Sequence, residues 1–213
     1  MIVTPRIRVA IAGFGPFPGV PKNPSGEIVR ALGKQARFRA AGIALDSRIF
    51  ETAYGSARSE LKALLNKRPD AIVLFGVAGG AKHIRVETIA RNRASVLHPD
   101  HSRFTPLSSK LLENGAPALK VRGSAIRVRA AIRATGIAAE LSVNAGSYLC
   151  NAAFYEVLAA TAGWNPAPLT FFIHVPPVGR FGSMGALIRA GAAALWSVAH
   201  EAARSRIVPH RDV

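Results

Sequence analysis

Cysteine is almost missing: Cys150 is the one thiol in 213 residues. A single cysteine cannot close an intramolecular disulfide or build a multi-cysteine metal site, and an unpaired thiol fits a reducing compartment. Long apolar runs are missing too. Gly, Pro or charge interrupts every hydrophobic stretch before the roughly 18 to 20 residues that a membrane span needs. The opening residues carry Arg6 and Arg8, but Gly13-Phe14-Gly15-Pro16-Phe17 follows where a secretory leader would continue its apolar core. A soluble, cytoplasmic chain with no membrane partner is expected.

Acidic residues are scarce, 12 against 28 Lys+Arg, for a formal net charge of +16. Such a balance suggests polyanion binding. However, the cations are scattered (Arg8, Lys34, Arg37, Arg58, Lys62, Lys67) and form no block. Aromatics are only 7% of the chain and do not alternate with them as a base-stacking platform requires. No specific nucleic-acid partner is expected, only salt-sensitive adhesion to anions.

What is present is 49% hydrophobic residues in a length that suits one globular domain. Arg6 to Gly13 reads as a strand running into a Gly/Pro loop through Pro18 and Gly19. Asn23-Pro24-Ser25 is a helix start, with Asn23 or Ser25 able to cap it, and Gly33 a helix stop. Ile43 to Ile49 reads as a strand and Tyr54 to Lys67 as a helix. Ala71-Ile72-Val73-Leu74-Phe75-Gly76 is uninterrupted and apolar, the pattern of a strand covered on both faces. Ile84 to Ala90 alternates as one strand, with Glu87 on it or at its edge. Residues 93 to 118 show no periodicity and read as a long surface excursion. Ala125 to Thr135 is a basic helix and Ala138 to Ser142 a strand. Leu169 to Val175 is a buried strand delivering His174, and about Ser183 to Arg204 an alanine-rich helix. The alternation predicts a single three-layer α/β/α domain, with a mixed, largely parallel central sheet flanked by helices on both faces.

In open α/β sheets reacting groups collect beyond the carboxyl ends of strands. The loops after Gly13, after Gly76, before Cys150 and after His174 are expected to converge there. Cys150 stands where Asn144-Ala145-Gly146-Ser147-Tyr148-Leu149 gives way to a helix-forming run. A thiol in a helix's first turn meets free amides and the positive end of the dipole, which favour thiolate. A histidine can activate it and protonate a leaving group, and a carboxylate can orient that histidine. His174, Glu87 and Cys150 are candidates for these roles. Taken singly, a lone cysteine is more often a small buried hydrophobe and a strand glutamate more often solvated. His174, between Ile173 and Val175, needs a partner to be tolerated. His83, His98, His101, His200 and His210 read as surface residues, and no third ligand accompanies His98 and His101, so no metal is expected.

Four segments in order, Gly13-Phe14-Gly15-Pro16-Phe17 with Asn23-Pro24-Ser25, Gly76-Val77-Ala78-Gly79-Gly80 with Glu87-Thr88-Ile89-Ala90-Arg91-Asn92, Asn144 to Asn151, and Phe172-Ile173-His174-Val175-Pro176, resemble the signatures of the type I pyroglutamyl peptidases, cysteine peptidase family C15. The resemblance covers nearly the whole chain. It implies a cofactor-free cytosolic α/β/α enzyme, assembled as a homo-dimer or tetramer, that removes N-terminal pyroglutamate from a peptide or small amide substrate. It makes Cys150 the nucleophile, His174 the base and then acid, and Glu87 the orienting carboxylate. Phe14 and Phe17 become an aromatic wall for the lactam, with Val77, Tyr148 and Leu149 bordering the pocket and the Cys150 amide a donor to the oxyanion. Three positions depart from the family pattern: Ala81 and Leu97 stand where the family has arginine, and Val77 where it is often polar. These changes imply a triad that is kept beside a lactam site that is weakened or redirected. The alternatives to this reading are a re-targeted small-amide hydrolase, a non-catalytic binding protein, and, on charge alone, a nucleic-acid-associated protein.

Overall fold

Strand β1 (Ile7–Phe14) is buried along nearly its whole length because each face meets a different apolar cluster. Ile7, Val9 and Ile11 point one way, Ala10, Ala12 and Phe14 the other, the two-residue period of a strand covered on both sides. The computed structural model describes residues 7–17, 19–179 and 182–207. Arg6, Pro18 and His210, named above, lie outside these described residues.

The chain continues through α1 (Pro24–Gly33), α2 (Ala36–Ala40), β2 (Ile43–Phe50), α3 (Tyr54–Leu65), β3 (Ala71–Val77), β4 (Ile84–Glu87), β5 (Ile89–Arg91) and β6 (Ala118–Lys120). It then forms α4 (Ala125–Arg133), β7 (Ala139–Ser142), α5 (Leu149–Ala160), β8 (Leu169–Val175) and α6 (Met184–Ile207). Six strands form one sheet in the order β2-β1-β3-β8-β4-β7, and β5 with β6 forms a separate ribbon. β2, β1, β3 and β8 are parallel, β4 pairs antiparallel with β8, and β7 is parallel to β4. Apolar residues of α1, α4 and α6 pack with Val73, Phe75, Phe171 and Ile173 on one face; those of α3 and α5 pack with Ile72, Leu74 and Phe172 on the other. The mixed, mostly parallel three-layer architecture is the expected one.

Of the two caps that the sequence offers, Asn23 is the one that caps α1. Its Oδ1 accepts from Ser25 N–H, while its Nδ2 donates to Gly15 O and Ser25 Oγ accepts from Phe14 N–H. These bonds hold the turn after β1 against the start of α1. A Cβ on Gly13 would lie 2.5 Å from Ser25 O, so glycine is what lets strand and helix approach this closely.

Two expectations need correction. The alternation from Ile84 to Ala90 does not make one strand. Thr88 donates through both N–H and Oγ1 to Ser142 O, while its own carbonyl accepts from Val121 N–H, so the chain leaves the main sheet there and enters the β5–β6 ribbon. The four loops also do not all lie beyond the carboxyl ends of strands at one edge. β7 runs opposite to β8, so its carboxyl end points away from the edge shared by β1, β3 and β8, and α5 reaches the site by lying across the sheet face. Among the described residues, α2 and β6 have no counterpart in the sequence reading. Both are too short for periodicity to register, five and three residues.

Candidate active site

Cys150 is the second residue of α5. The helix's own ladder begins with Ala152 N–H donating to Tyr148 O, so the amides before it face out of the N-terminus beside the half-buried thiol. Below the sulfur lies Gly76, near the carboxyl end of β3. A Cβ there would come within 2.8 Å of Cys150 Sγ and 2.9 Å of the Phe172 ring. The bare glycine therefore gives the thiol its access to the sheet.

Gly76 pairs in register with His174, and Phe172 with Glu87. His174 and Phe172, two residues apart on β8, share the face that α5 covers, and their rings are 4.7 Å apart. Glu87 ends β4 fully buried, and its Oε1 lies 2.9 Å from His174 Nδ1. This antiparallel register turns a strand glutamate into a buried partner of His174 Nδ1. Cys150 is near enough for its charge to act on the ring. Burial pushes the His174 imidazolium down, but the charge and hydrogen bond of Cys150, joined by those of Glu87, prevail and raise it to about 9. Glu87 Oε2 is buried with no protein donor.

The other expected residues divide. Phe14, Leu149 and Tyr148 gather with Phe172 in the cluster that Cys150 packs against, Phe14 meeting Phe50 edge-on at 5.8 Å. Phe14 is nearly fully buried, so it backs the site from the core. Phe17 is half-buried and bridges to Val20; Val77 is half-buried at the end of β3, paired with Val175. Neither belongs to that cluster. Ala81 is buried in the β3–β4 turn, its amide bonded to Ala78 O, and Leu97 is 81% exposed. Among the described residues no group of three His, Cys, Asp or Glu gathers as metal ligands would, and no helix is long and apolar enough to cross a membrane.

The sequence reading missed three polar residues around the thiol. Asn151, fully buried, accepts from Arg91 N–H and donates to Arg91 O and Arg93 O, tying the first turn of α5 to the start of the 93–118 excursion. Asp100 accepts from Tyr54 N–H at the start of α3 and from Ser102 and Phe104. Burial pushes its carboxyl up, but these hydrogen bonds outweigh that and hold it below the ordinary value. Tyr54 stacks edge-on against Tyr148 at 6.0 Å, and Tyr148 Oη donates to Pro99 O. Burial, with the nearby charges of Tyr148, Asp100 and Cys150, raises the Tyr54 phenol to about 12. Asn151 alone had a signal, its position next to the cysteine.

A family model described as pyroglutamyl peptidase matches residues 7–182. The pyrrolidone-carboxylate peptidase of Thermococcus onnurineus is 36% identical over 172 residues, spanning 80% of this chain and 84% of that one. Its counterpart in Gloeobacter violaceus is 34% identical over 172 residues, 80% and 82% of the two chains. Among solved structures, pyrrolidone carboxyl peptidase from Thermococcus litoralis superposes with a TM-score of 0.85 at 25% identity, covering 97% of this chain and 99% of that one. Pyroglutamyl peptidase I from Bacillus amyloliquefaciens gives 0.83 at 27% identity, covering 92% and 96%.

Proposed function

The chain belongs to the pyroglutamyl peptidase family of cysteine omega-peptidases, and from that premise we propose that it hydrolyses the amide bond following an N-terminal pyroglutamate, with Cys150 as nucleophile, His174 as proton carrier and Glu87 as the group that orients His174. The observation that carries this reading is His174, bound through Nδ1 to buried Glu87 at 2.9 Å and raised by the nearby charge of Cys150.

The Cys150 sulfur, with its proton held on His174, attacks the carbonyl carbon of the scissile amide. The negative charge passes to the carbonyl oxygen, which the free amides at the start of α5, Cys150 N–H among them, are placed to receive. His174 returns the proton from Nε2 to the leaving nitrogen, the C–N bond breaks, and the peptide departs with a new N-terminus. Water then attacks the thioester while His174 takes its proton, and the tetrahedral species collapses to free pyroglutamate and the thiol. Glu87 keeps the same face of the imidazole turned to the sulfur throughout. Gly76 makes room for the sulfur, and Phe14, Leu149 and Tyr148 supply the apolar surroundings in which a flat lactam ring can bury.

A single thiol kept reduced fits a cytoplasmic enzyme. Exposed apolar side chains such as Ile126, Leu141 and Val143 would be covered in a homo-oligomer. Incubation with a pyroglutamyl peptide and mass analysis tests the activity. Free pyroglutamate with the shortened peptide is expected, whereas an intact substrate overturns the reading.

A further inference from the structure

A cavity of about 530 Å³ lies between the start of α3 and the 93–118 excursion, within the roughly 300–1,000 Å³ typical of small-ligand sites. Tyr54 and Gly55 form one wall; Phe104, Pro106, Leu107 and Leu111 form the other. It does not contain Cys150, yet it begins one aromatic ring away. Tyr54, which lines it, packs edge-on against Tyr148, the residue that starts the helix bearing the thiol. The excursion wall is fixed, because Asp100 holds Tyr54 N–H, Ser102 and Phe104 together and Asn92 accepts from the amides of Leu111 and Leu112.

We propose that this cavity binds the leaving peptide, accepting an apolar side chain beyond the scissile bond. The assignment rests on the pyroglutamate-releasing reading above. On that reading the acyl side of the substrate is one small ring of constant size, and the leaving side varies in length and side chain. A roomy cavity that opens to solvent suits the variable part. A second cavity of about 450 Å³ shares Arg58 and Leu111 with the first and continues along α3 and α5, so a longer chain has a path onward.

The lining also sets the chemistry. Phe104 is half exposed and Leu107 fully exposed, a cost in water that a ligand would remove. The two charged residues of the cavity, Arg58 and Lys110, are cations already paired with Glu156 and Glu113. No carboxylate lines the cavity to welcome a basic side chain.

Two variants test the assignment on pyroglutamyl-phenylalanyl-leucinamide and pyroglutamyl amide, the latter having no peptide beyond the bond. Gly55→Trp fills the cavity from an exposed helical position where an added Cβ meets nothing within 4 Å. It is expected to lower the ratio of kcat/KM for the peptide over the amide by about tenfold or more. Leu107→Ser, at a fully exposed position of the lining, is expected to raise KM for the peptide with no fall in melting temperature. If the wild type cleaves both substrates and neither variant changes the ratio, the cavity assignment is overturned while the activity stands. If the wild type cleaves neither, the activity fails and the assignment falls with it.

Discussion

The Cys150 sulfur rests against the bare Cα of Gly76, where an added methyl would stand 2.8 Å from it. Strand and sulfur can meet only if that strand position has no side chain. The neighbours cannot yield cheaply, since the same methyl would also press on the buried Phe172 ring. Gly76→Ala is therefore expected to lose about 1–3 kcal/mol of stability through overpacking. It should also lose on the order of a hundredfold in kcat/KM, because the sulfur shifts relative to His174. Denaturant titration and steady-state kinetics on the same preparation measure both. Unchanged activity would show that the contact has no part in catalysis.

Glu87 acts on His174 through one bonded oxygen in a buried setting. Glu87→Gln keeps an acceptor and the shape but removes the charge and offers the ring a wrongly placed donor. Activity is expected to fall by about 10²- to 10⁴-fold with the fold retained, as for an orienting carboxylate. The His174 titration, followed by NMR, should move down because one of the influences raising it is gone. A variant with full activity would remove Glu87 from the mechanism.

The pH dependence follows from the raised His174. Its imidazolium persists from below the ordinary 6.5 up to about 9 in the folded protein. A group raised on folding contributes stability that is fully present below its unfolded value and is lost as pH rises through the folded one. Stability from this group is thus expected to decline between pH 6.5 and about 9. Single-turnover acylation should fall along the same limb as the proton for the leaving nitrogen is lost. In Cys150→Ser, which removes the largest influence raising His174, the stability limb should shift to lower pH.

Asp100 joins α3 to the excursion, accepting from Tyr54 N–H on one oxygen and from Ser102 and Phe104 on the other. Asp100→Asn turns one of those acceptors into a donor facing a donor. A loss of about 0.5–2 kcal/mol is expected, the size of a lost helix cap. Faster hydrogen exchange over 93–112 should accompany it. Because folding holds the Asp100 carboxyl below its ordinary 3.8, its stabilisation is present above that value and fades on acidification. Unaltered exchange would contradict this role.

Much of this was legible in the sequence, for physical reasons that also explain the rest. β3 announces itself by an unbroken apolar run, Asn23 by its position before Pro24 and Ser25, and Cys150 by its place at a helix start. Alternation puts Glu87 on a strand. Its burial against His174 depends on β4 running antiparallel to β8, a choice no local pattern encodes. The 93–118 excursion lacks periodicity because side-chain bonds to distant backbone order it, such as Asn151 to Arg93 and Tyr148 to Pro99. In the sequence Tyr54 marks only where a helix begins. Only the packing of α3 against α5 brings its ring to Tyr148.

The most direct test of the central claim is the rate of 7-amidocoumarin release from its pyroglutamyl amide by the wild type and by Cys150→Ser. Saturable hydrolysis by the wild type is predicted, with a loss of at least about a thousandfold in kcat for the variant. Equal rates for the two proteins would contradict the account.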